Sequence, residues 1–256
     1  MSENVTSTCT NGVLTLTLGG GKAHPLSRAM IAALHAPLAA AQHDPAARVI
    51  VIDGPGSIFC AGHDLKEIAR HRADADQGRA YLTDLFDSCA ALMLEITNSS
   101  RPVIAQVEGI ATASGLQLVA ACDLAFAADT ARFCLPGIKR GGFCTTPGVA
   151  VSRAVSRKHL MELLLSGENH GALWALNAGL VNEVLAPDAL AARVAAFATQ
   201  LAARLSPVSQ AGLAATKAHL DLSLADAYAL ATREMIAHFM DDSLRAGEQT
   251  SRFAAG

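Results

Sequence analysis

From residue 3 to residue 20 apolar and polar positions alternate, and Asn11-Gly12 splits the run into two Val/Thr/Leu-rich halves. Alternation marks strands with one buried face, and Asn-Gly supplies the left-handed pair of a tight turn, so this segment predicts a β-hairpin. Ser27 is placed to cap a helix running to about Gln42. Arg48 to Asp53 and Ile58 to Ala61 read as short buried strands, the second ending in the turn Gly62-His63-Asp64. Helical periodicity resumes from about Ala80 to Ile96 and stops before Arg101-Pro102. The polar stretch between, residues 69–79, predicts a mobile loop.

Val103 to Val107 reads as a buried strand entering a small-residue turn, Gly109 to Gly115, which opens an apolar helix ending near Cys122. Asp123 to Ala127 is a further apolar strand. Beyond Pro147 the chain reads as almost entirely helical, with one strand at Val181 to Leu185 and three Ala/Leu-rich helices after Pro187. Strands alternating with helices, then helices alone, predict an α/β core with a helical C-terminal extension. We place the division between residues 1–195 and 196–256.

Composition narrows the function. Hydrophobic residues make up 51% of the chain and charged ones 17%, enough to build a large core. A net charge of −3 gives no electrostatic case for nucleic acid or an anionic membrane as partner. Asp123 interrupts the best apolar run before it reaches spanning length. The beginning, M-S-E-N-V-T-S-T, has neither a basic nor an apolar leader segment. Six cysteines without C-x-x-C spacing read as reduced thiols, so the expected compartment is the cytoplasm. No H-E-x-x-H, phosphate loop or G-x-G-x-x-G is present, and neither a metal nor a nucleotide cofactor is expected.

The chemistry concentrates in two turns. One reads F-C-A-G-H-D-L-K-E from Phe59 to Glu67; the other reads E-G-I-A-T-A-S-G-L-Q-L from Glu108 to Leu118. Small residues let a ligand approach the backbone, and the unpaired N–H groups of a helix start hold developing negative charge. Asp64 caps the following turn or acts as a base, and His63 reads as a solvated loop histidine or a titratable group. Ser114 is either an N-cap or a nucleophile. The second role needs a histidine, and nothing marks His71 or His159 as the partner.

These segments resemble the crotonase (enoyl-CoA hydratase/isomerase) superfamily, whose patterns are F-x-A-G-x-D-L/I-K-E and G-x-A-x-G-G-G-x-E-L, followed by C-D and F-G-x-P-E-I. The likeness covers about residues 5–245. It implies a spiral of stacked ββα units, assembled as a trimer or dimer of trimers, that binds acyl-CoA thioesters in fatty-acid metabolism. Coenzyme A then enters as part of the substrate. The implied donors to the thioester oxygen are the backbone N–H groups of His63 and Ser114. Ala61, Gly62, Asp64, Leu65, Ala113 and Gly115 flank them. Lys66 falls where relatives place a cation near the CoA phosphates, and Lys22 stands in a similar place; a solvated surface lysine is the alternative for both.

The two family glutamates fall on Gln117 and Gly137. An amide cannot exchange a proton at neutral pH and glycine has no side chain, so ordinary hydration is expected to be poor. The family loop P-G-x-G-G-T has become G-G-F-C-T-T-P-G, which places Cys144, Thr145 and Thr146 near the acyl group. Cys144 is a replacement nucleophile or base, or a buried inert thiol. Glu67 and Glu108 are the nearest carboxylates in sequence. The F-C-x-T-P-G-V-A loop is similar to that of a divergent subgroup of enoyl-CoA hydratase domain-containing proteins. Alternatives from other classes are a non-catalytic acyl-CoA binder or heteromeric subunit, and a Ser114 hydrolase similar to the Clp-type peptidases. The family's usual acidic-aromatic-basic tail is replaced by Ser251-Arg252-Phe253-Ala-Ala-Gly.

Overall fold

A computed structural model describes residues 4–242, so the tail around Ser251 lies outside the described residues. Strands β1 (Val5–Thr10) and β2 (Val13–Leu18) form the predicted hairpin, with Asn11 at φ 53° and Gly12 at φ 83° in its turn. Positive φ at both positions gives a turn whose twist matches the strands. β2 then pairs in parallel with β3 (Val49–Gly54), β3 with β5 (Val103–Val107), β5 with β7 (Leu124–Ala128), and β7 with β10 (Glu183–Leu185). Val49, Ile50, Val51 and Ile52 are all buried, as an unbroken apolar run in a central parallel strand requires.

Of a second, smaller sheet, the residue pattern alone showed only the strand at Ile58 to Ala61. Its strands are β4 (Ile58–Cys60), β6 (Ile110–Thr112), β8 (Arg132–Cys134) and β9 (His170–Gly171). Three times the chain runs a strand of the large sheet, a short strand of the small sheet, and then helix. The pairs β3–β4, β5–β6 and β7–β8 are thus successive ββα units of one spiral. The core takes Met30, Leu34 and Leu38 from α1 (Arg28–Ala41), and Leu85, Leu92 and Ile96 from α3 (Arg79–Asn98). Each such side chain contributes about 1.5–3 kcal/mol on burial. Ser27 caps α1 as expected, accepting from Met30 N–H at 3.1 Å.

Part of the polar stretch 69–79 is helical, where a loop was expected. Asp64 caps α2 (Leu65–His71), which takes in the first three of those residues. Asp76 then accepts from Gly78 N–H at 2.9 Å and Ala80 N–H at 2.8 Å, closing the turn into α3. Local carboxylate capping replaced the helical pattern here, and a polar count does not detect it.

Contacts divide the chain into two units, Met1–Ala203 and Arg204–Gly256. The division placed at 195 falls inside α8 (Pro187–Arg204), whose Ala198 and Ala202 are buried. The second unit contains α9 (Pro207–His219) packed against α10 (Leu224–Met240).

Candidate functional site

Two glycine contacts bring the turns together. A Cβ on Gly62 would lie 3.1 Å from both Ala113 Cβ and Ser114 Oγ, and one on Gly115 would lie 2.1 Å from the Cys60 carbonyl oxygen. The end of β4 and the start of α4 (Ser114–Ala121) are therefore in backbone contact, which a side chain at Gly115 would prevent. His63 N–H and Ser114 N–H border this junction, and neither donates to a backbone acceptor among the described residues. For Ser114 this follows from its place in the first turn, where the helix supplies no carbonyl.

The N-cap of α4 is Ala113, at φ 52° and ψ −120°, not Ser114. Holding a residue with a Cβ in this region costs of order 1–3 kcal/mol. Because Ser114 is the first helical residue, its hydroxyl is not spent on capping. It lies instead 3.3 Å from His63 Nδ1. The solvated reading of His63 is thus corrected, and its nearest hydroxyl comes from a residue 51 positions away. His71 and His159, the histidines weighed as partners of Ser114, are engaged elsewhere: His71 with Asp74 at 2.7 Å, His159 with Ser156 at 3.0 Å. Phe86 meets the His63 ring edge-on, with centroids 5.1 Å apart. Burial pushes the His63 pKa down to about 4, so its ring is neutral at physiological pH.

A cavity of about 470 Å³ opens beside the junction. Ala61, His63, Leu65, Ala113, Ser114, Gly137 and Cys144 line it, as do Thr145 and Thr146. Gly62, Asp64, Gly115 and Gln117 support the walls without lining them, and Lys22 and Lys66 are exposed outside it. Ile68, Phe86, Thr112, Pro136, Arg140, Phe143 and Pro147 complete the lining and were not anticipated. An apolar Phe86 left 38% exposed on α3 becomes interpretable only once the fold puts it opposite His63. Arg140, at the end of a 3-10 helix (Pro136–Arg140), is among the described residues the only charged side chain in the lining, and it forms no ion pair with any of them.

Among the described residues no carboxylate lines the cavity. Glu67 accepts from Arg28 N–H at 3.3 Å and Glu108 from Gly56 N–H at 2.9 Å, so both nearby carboxylates are turned to other duties. Gln117 is buried on α4, and its Oε1 has no hydrogen-bond partner among the described residues. Gly137 is closed off: a Cβ there would stand 2.7 Å from Cys144 N, 2.8 Å from Phe143 C and 3.0 Å from Cys144 Sγ. The altered loop occupies the space that a side chain at 137 would need. Burial raises the Cys144 pKa, partly offset by a hydrogen bond from Gly137 N–H. Cys144 is accordingly a protonated, buried thiol rather than a base. Its place before α5 (Thr145–Ala154) puts that helix start at the cavity wall.

None of the six cysteines is in a disulfide, and no cluster of three His, Cys, Asp or Glu side chains occurs among the described residues. Nor is any helix among them long and apolar enough to cross a membrane.

Residues 8–254 match the family model for enoyl-CoA hydratase/isomerase. The human mitochondrial enoyl-CoA hydratase domain-containing protein 3 is 38% identical over 228 residues, covering 89% of this chain and 73% of that protein. Its crystal structure superposes with a TM-score of 0.89 at 34% identity, over 98% of this chain and 99% of that one. An enoyl-CoA hydratase/isomerase family protein from Silicibacter pomeroyi superposes with a TM-score of 0.88 at 55% identity, over 92% of this chain and 99% of that one. The spiral of ββα units and the divergent subgroup indicated by the F-C-x-T-P-G-V-A loop agree with these relatives. With matches of this extent, this chain belongs to the enoyl-CoA hydratase/isomerase family.

Proposed function

We propose that this chain binds an acyl-CoA thioester in the cavity and polarises its carbonyl between His63 N–H and Ser114 N–H, with little or no hydration of simple enoyl-CoA. The observation that carries this reading is a wall offering two unpaired backbone donors and no carboxylate. A donor aimed at a developing oxyanion contributes roughly 10²–10³ in rate. Addition of water across the double bond also needs a base for the water and an acid for the α-carbon, each worth about 10²–10⁴. His63 is neutral and weakly basic, and the Cys144 thiol is protonated. The bound thioester is therefore activated without the carboxylate acid/base pair that hydration of the double bond requires.

The same lack of a carboxylate supports a second reading, a binder or heteromeric subunit that holds acyl-CoA without converting it. Calorimetry with a panel of saturated acyl-CoA esters and a crotonyl-CoA hydration assay separate the cases. Micromolar-range binding with hydration near background is the expected result. No binding at any chain length refutes both readings, and efficient hydration refutes the site assignment.

We further propose that residues 196–256 serve assembly into a trimer or dimer of trimers. Neither α9 nor α10 has a buried residue in the single chain, while Leu224, Tyr228, Phe239 and Met240 are each more than half exposed. Apolar faces of this kind are usually covered. Light scattering at micromolar concentration should give a multiple of three chains; a monomer refutes it. The compartment remains proposed as the cytoplasm, although the human relative is named a mitochondrial protein. Subcellular fractionation decides between them.

A further inference from the structure

We propose that Ser114 and His63 add a second activity on the same ligand: slow hydrolysis of the acyl thioester through an ester on Ser114 Oγ. The inference rests on the thioester position proposed above. Four observations carry it. Ser114 Oγ and His63 Nδ1 lie 3.3 Å apart, on different ββα units, and both residues line the cavity. The helix is capped at Ala113, which leaves the Ser114 hydroxyl without a structural duty. The His63 ring is fixed edge-on by Phe86. No carboxylate is at hand to perform the competing proton transfers.

The geometry is that of a nucleophile whose own N–H belongs to the oxyanion site. In serine hydrolases the attacking residue supplies both the oxygen and one of the donors, so a carbonyl oxygen held at that N–H brings its carbon to the hydroxyl. Here the second donor, His63 N–H, comes from the residue that also carries the imidazole. A neutral ring with its proton on Nε2 accepts the Ser114 hydroxyl proton at Nδ1. His63 Nε2 is buried and has no partner among the described residues, so no carboxylate steadies the imidazolium once formed. That defines the rate class: the base is present but weak, and an acyl-enzyme should form and clear slowly.

Atoms balance without any co-reactant except water. Ser114 Oγ bonds to the carbonyl carbon as its proton passes to His63 Nδ1, and the two N–H groups hold the oxyanion. The carbon–sulfur bond then breaks, the proton moves from His63 to the sulfur, and coenzyme A leaves as the free thiol. Water next attacks the ester carbonyl, giving its proton to Nδ1. The bond to Oγ breaks, Oγ recovers the proton, and the carboxylic acid departs.

The test uses the full chain and butyryl-CoA. Intact-protein mass spectrometry should show one butyryl group per chain, peptide mapping should place it on Ser114, and a thiol reagent should record coenzyme A release. Ser114→Ala should lose the adduct and return thiol release to the enzyme-free background. Ser114→Cys should regain an adduct, as a thioester, which keeps the test decisive if the alanine variant folds poorly. His63→Gln should slow adduct formation by about 10²–10⁴-fold. Calorimetry with the thioether analogue of butyryl-CoA is run alongside. Binding of the analogue without adduct, or with thiol release unchanged in Ser114→Ala, overturns this inference and leaves the thioester site standing. Absence of analogue binding overturns both.

Discussion

Gly137→Ala adds a single carbon to this protein and should lower its melting temperature. The new Cβ would meet two backbone atoms, Cys144 N at 2.7 Å and Phe143 C at 2.8 Å, as well as Cys144 Sγ at 3.0 Å. Overpacking of this kind costs about 1–3 kcal/mol. Replacing glycine also narrows the unfolded ensemble, which returns about 0.5 kcal/mol. The net loss is then about 0.5–2.5 kcal/mol, and at about 2–4 °C per kcal/mol the melting temperature falls by roughly 1–10 °C. Gly148→Ala is the control of opposite sign. It lies inside α5 with Leu164 methyls no nearer than 3.8 Å, so an alanine there should stabilise the helix by about 0.5–1 kcal/mol. The result bears directly on chemistry. Because two of the three contacts are backbone, trimming Cys144 does not clear the way for an acid at 137. Gln117→Glu combined with Gly137→Glu should therefore leave crotonyl-CoA hydration near background unless residues 141–148 are also replaced. Thermal melts of the two single variants and a steady-state hydration assay of the double variant decide it. A Gly137→Ala protein as stable as wild type, or a double variant that hydrates well, refutes the claim that the loop has taken the acid's space.

Gly115→Ala should be more damaging still, at about 3 kcal/mol or beyond, because its Cβ would stand 2.1 Å from the Cys60 carbonyl; a soluble variant melting above Gly137→Ala contradicts the backbone contact. Ala113→Gly should raise the unfolding free energy by up to about 2 kcal/mol, and with it the denaturation midpoint, the strain at φ 52° and ψ −120° released less the entropy of glycine. An unchanged or lower midpoint means that the strain is not there. His63 gives a pH signature. Its folded pKa of about 4 lies below the unfolded value of 6.5, so the unfolded chain binds the extra proton between them. The contribution is fully present above pH 6.5 and is lost as pH falls toward 4, on the order of 3 kcal/mol in all. The stability difference between wild type and His63→Gln should change across that window, and a difference independent of pH there would show an unburied ring.

Features that depend on neighbours in sequence were legible. Asn11-Gly12 specified the hairpin, Val49 to Ile52 a central parallel strand, and Ser27 and Asp64 their caps. Of the small sheet only Ile58 to Ala61 was, because strands of two or three residues carry too few positions to show a period. Ser114 illustrates how a local preference is overridden. Serine favours the N-cap, but the contact of Gly115 with Cys60 fixes where the chain turns, and the cap falls one residue earlier. The partner of Ser114 was equally hidden, since a histidine 51 residues upstream becomes a neighbour only after two units stack. Glu67 and Glu108 were close in sequence yet are directed to Arg28 and Gly56, a matter of side-chain direction on the finished scaffold.

The meeting of Gly62 and Gly115 with the opposite turn has a consequence for the order of assembly. Each proposed donor belongs to a different stretch of chain, and neither turn has a rigid wall of its own until the other arrives. A nascent chain that has released β4 but not α4 therefore owns half a receptor and binds nothing. Ligand affinity becomes a proofreading signal, appearing only when both stretches have docked, and in hydrogen exchange the His63 and Ser114 amides should gain protection from a bound ligand together, never one without the other.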